Sequence, residues 1–242
     1  MTLLDVPLSR VVWRQTHRLV LSHYPLVDLF EDVADPADWE ALARAQARTN
    51  PRMMDLVREL ALVPAGRRVA GPGASWVMGA FTHLSADRVS RFGDGTYGVY
   101  YAGDALATAL AEHTHHMGRF YAAAGLEAGW LSEVRQLVGS LDAALLDLRG
   151  GGFGALLDPN DYGPSQVFGR ERRAAGADGI VYTSVRHAPG QCIAAFYPDV
   201  VGIPAQGDHF RYYWDPHAGG GGRITYARKI TGDPSILTLP PA

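Results

Sequence analysis

The run Arg91-Phe-Gly-Asp-Gly-Thr-Tyr-Gly-Val-Tyr-Tyr-Ala-Gly-Asp104 constrains this chain more than any other segment. Its glycines demand a turn, and the β-branched and aromatic residues after them favour an extended strand from Tyr97 to Ala102, closed by Gly103-Asp104. Asp104 is placed to cap a helix from Ala105 to about Phe120, with Leu106 and Leu110 on one face and alanines supplying propensity. Turn, strand and helix in so short a span bring three chemically active residues close in sequence: Arg91, Tyr101 and Glu112. Strand alternation puts Tyr97 and Tyr101 on one face and Tyr100 on the other.

The remaining elements are read from period and punctuation. Ser9 to Trp13 is a short strand that delivers Arg14 near its end. Asp35-Pro36 reads as a helix cap with proline at the first helical position, followed by Trp39, Leu42 and Ala43 at amphipathic spacing. A second helix is expected from Met53 to Leu62, ending before Pro64-Ala-Gly. Further on come a strand at Ala144 to Leu148, a loop from Gly150 to Pro164, a helix from Ser165 to Ala175, and strands at Gly179 to Ser184 and Ile193 to Phe196. The aromatic tail ends in a strand at Arg223 to Tyr226. This order predicts an α+β fold of small mixed sheets with flanking helices. One domain over residues 1–242 is expected, with a helical insertion at about 29–70 and an extension at about 202–242.

Composition removes several mechanisms. Of 22 basic residues one is lysine, Lys229, so a phosphate-loop or Schiff-base lysine has almost no candidate. A net charge of −3 argues against a dedicated nucleic-acid binder. No stretch approaches the about 20 apolar residues that span a bilayer, and Met1-Thr-Leu-Leu-Asp-Val-Pro does not resemble a secretory leader, so a cytoplasmic protein is expected. The single cysteine, Cys192, agrees with a reducing compartment.

Other motifs yield to plainer readings. Leu146-Asp-Leu-Arg-Gly150-Gly-Gly-Phe-Gly resembles a dinucleotide turn, but Pro159 and Gly163-Pro164 leave little room for the helix that such a turn must open. In His113-Thr-His115-His116 the first and last histidines share a helix face and His115 does not, and no metal is expected there. Cys192, at the start of an apolar strand with His187 nearby, reads as a buried thiol rather than a nucleophile. Ser184 lacks the flanking glycines of a nucleophile elbow.

Three blocks together resemble the RES-domain family, the toxin half of bacterial toxin-antitoxin pairs named for Arg, Glu and Ser. They are Val12-Trp-Arg14; Arg91 to Ala102 running into Ala107-Thr-Ala-Leu-Ala-Glu112; and Gly176-Ala-Asp-Gly-Ile-Val-Tyr-Thr-Ser184. The resemblance spans about Val11 to Val201. It implies a fold similar to diphtheria-type ADP-ribosyltransferase toxins and NAD as the substrate. NAD would be split by water or phosphate, or its ADP-ribose passed to a protein acceptor. It also implies functional roles for Arg91, Tyr101, Glu112 and Ser184, and a cognate antitoxin with a repressor-like helix-turn-helix. A non-catalytic binding module is the alternative of another class.

The residue types suit that chemistry. Breaking the nicotinamide glycosidic bond builds positive charge on the ribose, which a fixed carboxylate such as Glu112 stabilises, with His116 one turn on to orient it. Tyr101 offers a stacking surface, and Arg14 and Arg91 offer paired donors for the diphosphate. Ser184 would hydrogen-bond the substrate or Glu112.

Overall fold

The computed structural model describes residues 5–23, 30–31, 35, 38–48, 59–84 and 89–239. Among them, eight strands form one sheet rather than several small ones, and four α-helices flank it. The strands are β1 (Leu8–Leu21), β2 (Tyr100–Gly103), β3 (Gly129–Asp147), β4 (Gly179–Thr183), β5 (Gln191–Ala195), β6 (Ala205–Asp215), β7 (Arg223–Lys229) and β8 (Ser235–Thr238). The helices are α1 (Trp39–Ala47), α2 (Ala74–Thr82), α3 (Leu106–Ala123) and α4 (Gly163–Ala174).

The sheet order is β1-β2-β5-β4-β3-β6-β7-β8, and an additional β1–β3 pairing joins the first and fifth of these strands into a ring. β3, at 19 residues, is the shared spine. Along it β1 runs antiparallel from Leu8↔Leu146 to Leu21↔Val134. Its first half pairs on the other edge with β6, and its last residues pair in parallel with β4. The expected strand at Ala144 to Leu148 is therefore only the end of a longer one. The residues before it, Leu131-Ser-Glu-Val-Arg-Gln-Leu137, include good helix formers without strict alternation, and pairing on both edges overrides that local preference.

Side chains leave the ring in two directions, following the period of a strand. Val181 and Ile193 enter the cluster that packs α2 through Val77 and Phe81. Ile180, Tyr182, Cys192 and Ala194 enter the cluster that packs α4 through Phe168. Each fully buried side chain of this size contributes roughly 1.5–3 kcal/mol. α4 docks closely because residue 169 is glycine: a Cβ there would lie 2.4 Å from the Phe92 carbonyl oxygen.

The described residues between β1 and α2 pack against α2. Phe30, Trp39, Ala43 and Leu60 are buried against Ala74 and Met78. Arg68 ties them down, donating to Glu40 Oε1 at 2.6 Å and to the Val63 and Leu60 carbonyls. Of the expected helices here, α1 is present, whereas Pro36 and most of Met53 to Leu62 lie outside the described residues. Tail and α3 share the third cluster, with Phe210, Tyr212, Trp214 and Ile224 against Leu110 and Tyr121. Where one strand was expected in that tail, three are found.

Boundaries moved by local chemistry. β2 starts at Tyr100, because Tyr97 turns into the core and donates to the Phe92 carbonyl at 2.6 Å. The cap of α3 is Ala105, not Asp104. The Asp104 carboxylate instead accepts the Thr108 hydroxyl at 2.9 Å. No helix among the described residues is long and apolar enough to cross a membrane.

Candidate active site

A cavity of about 700 Å³ opens where α3 crosses β2 and the end of β1. Ala109, Glu112, His113, His116, Met117 and Phe120 all line it, recurring three and four residues apart along one face of α3. Arg91 and Tyr101 line it as well, so the turn, strand and helix of the opening block meet at one place.

Glu112 is held by Ser184, the residue that follows β4. Ser184 Oγ donates to Glu112 Oε1 at 2.6 Å and itself accepts the backbone N–H groups of Arg186 and His187 at 3.2 and 3.0 Å. Two donors fill the hydroxyl's acceptor sites, so its proton is directed at the carboxylate, and the short distance is that of a charge-assisted bond. Ser184 thus positions Glu112 and is not disposed as a nucleophile. Glu112 Oε2 has no protein partner among the described residues.

The turn that holds Ser184 is closed by its own N–H to the Gly190 carbonyl at 2.8 Å and by Gly190 N–H to the His187 carbonyl at 2.7 Å. A Cβ at residue 190 would fall 2.3 Å from Thr108 Oγ1, so this turn packs on α3 only with glycine there. Cys192 Sγ lies 3.9 Å from Glu112 Oε1. Burial first, then the Glu112 charge, pushes its thiol pKa well up, so it stays neutral, as expected for a buried thiol.

Tyr101 is fixed by its phenol oxygen, which accepts the Phe92 N–H at 2.9 Å and shares a hydrogen bond with Ser90 Oγ at 2.9 Å. Burial pushes its pKa up to about 12 against the pull of those two bonds, so it remains neutral. Tyr97 and Tyr100 are buried at 6% and 1% exposure in different core clusters, and neither lines the cavity. Tyr101 packs against the cluster that holds Tyr97 and apart from the one that holds Tyr100, although Tyr97 lies ahead of β2 and does not reach the cavity.

Arg91 is buried, with its guanidinium 4.7 Å from the Tyr162 ring centre. Nη1 donates to the Asp158 and Leu156 carbonyls at 2.7 and 3.3 Å, which pins the glycine-rich loop beside the cavity. No protein acceptor engages its other nitrogens among the described residues.

Arg14 does not join the site. The β1 register shifts between Trp13 and Thr16, where β1 bulges against β3, and Arg14 is exposed there. The arginine that β1 delivers is Arg18. Its Nη1 donates to the Tyr101 carbonyl at 2.9 Å, its guanidinium lies 4.7 Å from the Tyr100 ring centre, and Nε is buried without a partner. An unsatisfied guanidinium nitrogen in a cavity wall is a donor waiting for an acceptor.

The RES domain family model matches residues 66–215, more than half of the 242. This chain belongs to the RES domain family. The match begins at Gly66, ahead of α2, and ends with β6, leaving β1, β7 and β8 outside it. The chain is similar to the uncharacterized protein y4oC of Sinorhizobium fredii (strain NBRC 101917 / NGR234), 28% identical over 205 residues that cover 82% of each chain. It is also similar to a chain of the M. tuberculosis MbcT-MbcA toxin-antitoxin complex, with 10% identity, a TM-score of 0.42, and coverage of 83% of this chain and 85% of that one.

The histidines of this RES protein divide as their spacing predicts. His113 and His116 line the cavity and His115 does not. His113 Nδ1 lies 3.0 Å from the Tyr212 hydroxyl, and burial, then His116 and Arg18, push its pKa down to about 3. Among the described residues no group of three or more His, Cys, Asp and Glu is arranged to hold a metal ion. Arg18 was missed in the sequence because Arg14 stands in the expected block. A signal was present: Arg18 interrupts the apolar end of a strand, His17-Arg-Leu-Val-Leu21, where a charge needs a reason.

Proposed function

We propose that this protein cleaves the bond between nicotinamide and ribose in NAD and acts as the toxin of a toxin-antitoxin pair in the cytoplasm. The observation that carries the reading is the 2.6 Å bond from Ser184 to Glu112 in a cavity shared with Tyr101, Arg91 and Arg18. Its volume lies within the range of small-ligand sites, about 300–1,000 Å³. Membership of the RES family supports the same substrate and a cognate antitoxin with a repressor-like helix-turn-helix. The likeness to diphtheria-type ADP-ribosyltransferases, and the single-domain organisation with its insertion and extension, belong to this reading too.

In the reaction the bond from ribose C1′ to the nicotinamide nitrogen breaks, its electron pair leaves with nicotinamide, and the ribose gains positive charge. Glu112 sets a carboxylate against that charge, with Oε1 anchored and Oε2 available to a ribose hydroxyl or an incoming nucleophile. Tyr101, neutral and fixed, provides the aromatic surface. Arg18 and Arg91, both in the cavity wall, provide guanidinium donors for the diphosphate.

Purified protein incubated with NAD, with and without phosphate and with cell lysate, tests the reading by chromatography. Loss of NAD in the wild type and its retention with Glu112→Gln is the expected result. Free ADP-ribose, its phosphate ester or a labelled protein band then identifies water, phosphate or protein as the acceptor. Unchanged NAD in every condition, from folded protein, overturns the reading and leaves a binding module.

A further inference from the structure

We propose that the cavity on the opposite side of α3 is a second binding site, for a small phosphate-bearing anion with an apolar body. This cavity, of about 480 Å³, shares no lining residue with the first. Three arginines reach it, Arg119, Arg186 and Arg223, together with His115 and His187, and no carboxylate lines it.

Several arginines of this chain pair with acids, as Arg10 does with Asp142, Arg149 with Asp147 and Arg211 with Glu133, while Arg18, Arg91, Arg135 and Arg173 donate to backbone carbonyls singly in other surroundings. The three at this cavity have no carboxylate within ion-pair distance among the described residues. Arg119 has no hydrogen-bond partner there. Arg186 donates through Nη2 to the Pro159 carbonyl, and its Nε is buried without a partner. Arg223 donates through Nη2 to the Leu239 carbonyl at 3.2 Å. The Nε2 of His115 is likewise buried and unpartnered. A protein with an overall charge of −3 has acids to spare, so three guanidinium groups on one acid-free wall call for an anion from outside.

The rest of the wall is apolar and built by the tail. Leu110 of α3 lines the cavity with Ile224 of β7, Leu237 of β8 and Leu239 just after β8. The turn before β7 fixes this wall: Gly222 has φ +82°, and a Cβ there would lie 2.3 Å from the Trp214 ring. Guanidinium donors beside an apolar wall match a phosphate monoester on a ring or alkyl group. Arg223, Ile224 and the β8 residues lie beyond the stretch that matches the RES family, whereas Arg119, Arg186, His115 and His187 lie within it, so the cavity forms where the two meet.

Calorimetric titration of the full chain with phenyl phosphate tests this, with phenol and inorganic phosphate as controls. Saturable one-site binding is expected, absent with phenol and weaker with inorganic phosphate. Arg119→Ala should weaken it about tenfold or more. Arg119 is exposed and makes no protein hydrogen bond, so this substitution leaves the fold intact. Arg223→Ala should act in the same direction, and Glu112→Gln should leave the affinity unchanged. No saturable binding, or affinity that survives Arg119→Ala, overturns the proposal; loss of binding in Glu112→Gln also does, by placing the probe in the first cavity. NAD turnover is read separately, so failure of the NAD reading would leave this outcome visible.

Discussion

The two sides of α3 handle charge in opposite ways. On the side of Glu112 the carboxylate is anchored by one hydroxyl, the neighbouring thiol and phenol are held neutral, and Arg18 comes from a different strand. On the far side three arginines stand with no acid at all. Both sides use residues of one regular helix, so the difference comes from what packs against it. The first face meets β1 and β2, and Ser184 after β4 and Cys192 of β5 stand at Glu112, where a tight turn fixes single atoms. The second meets the tail, where glycines and aliphatic residues leave open volume. A single helix can therefore present a committed site and an uncommitted one, and the Arg186–His187 turn touches both.

The comparison is broken most severely at Glu112. Glu112→Gln removes the charge and keeps the shape, and should lower NAD turnover by about 10²–10³ or more, the cost of losing one preorganised electrostatic group. Circular dichroism should match wild type; turnover that persists would move the reaction away from this face. Ser184→Ala comes next. It should reduce kcat by roughly tenfold to a hundredfold with a smaller change in KM, because the lost group positions the carboxylate rather than binding substrate. It also leaves two backbone N–H groups without their acceptor, so urea titration should show about 1–3 kcal/mol less stability. An effect on KM alone would make Ser184 a substrate contact instead.

How far the sequence reached is visible in these residues. Arg91, Tyr101 and Glu112 were legible because turn, strand and helix follow one another within a short stretch whose local signals agree. The Ser184–Glu112 contact was legible only through the family pattern, since nothing local says that a residue after β4 bonds one on α3. Arg18 was not legible because a bulge in β1 changes which residues face the cavity, and bulges follow from pairing between distant strands. β3 was mostly missed for the same reason: its residues favour helix locally, and only partners far along the chain hold it extended.

Acid should sharpen the contrast between the faces through the buried histidines. His113, on the Glu112 face, is pushed down to about 3 and His115, on the other, to about 4, chiefly by burial. The unfolded chain takes up protons near the ordinary value of 6.5, while the folded one resists until the lower values. Stability therefore falls as pH drops below about 6.5, by at most about 1.4 kcal/mol per pH unit for each histidine. Urea midpoints at pH 7, 5.5 and 4.5 should show this decline, and His113→Gln should flatten it; an equal slope in that variant would assign the acid sensitivity to other groups. The smallest expected effect is that of Arg119→Ala on NAD turnover measured without any phosphate ester: none beyond experimental scatter. A clear loss there would mean that the two faces are not separate.

The pairing of Leu8 with Leu146 has a consequence for how the molecule comes into being. Arg18 reaches the cavity only when β1 lies on β3, and β2 has its long neighbour only when β5, ending at Ala195, has been made. A ribosome adding about 5–20 residues per second takes on the order of ten seconds or more to reach that point. From the addition of Glu112 to that of Ser184 the nascent chain carries Arg91, Tyr101 and Glu112 without the hydroxyl that holds the carboxylate. Under the proposed function catalytic competence is a late event in synthesis, and a chain interrupted before Ser184 lacks the anchored carboxylate.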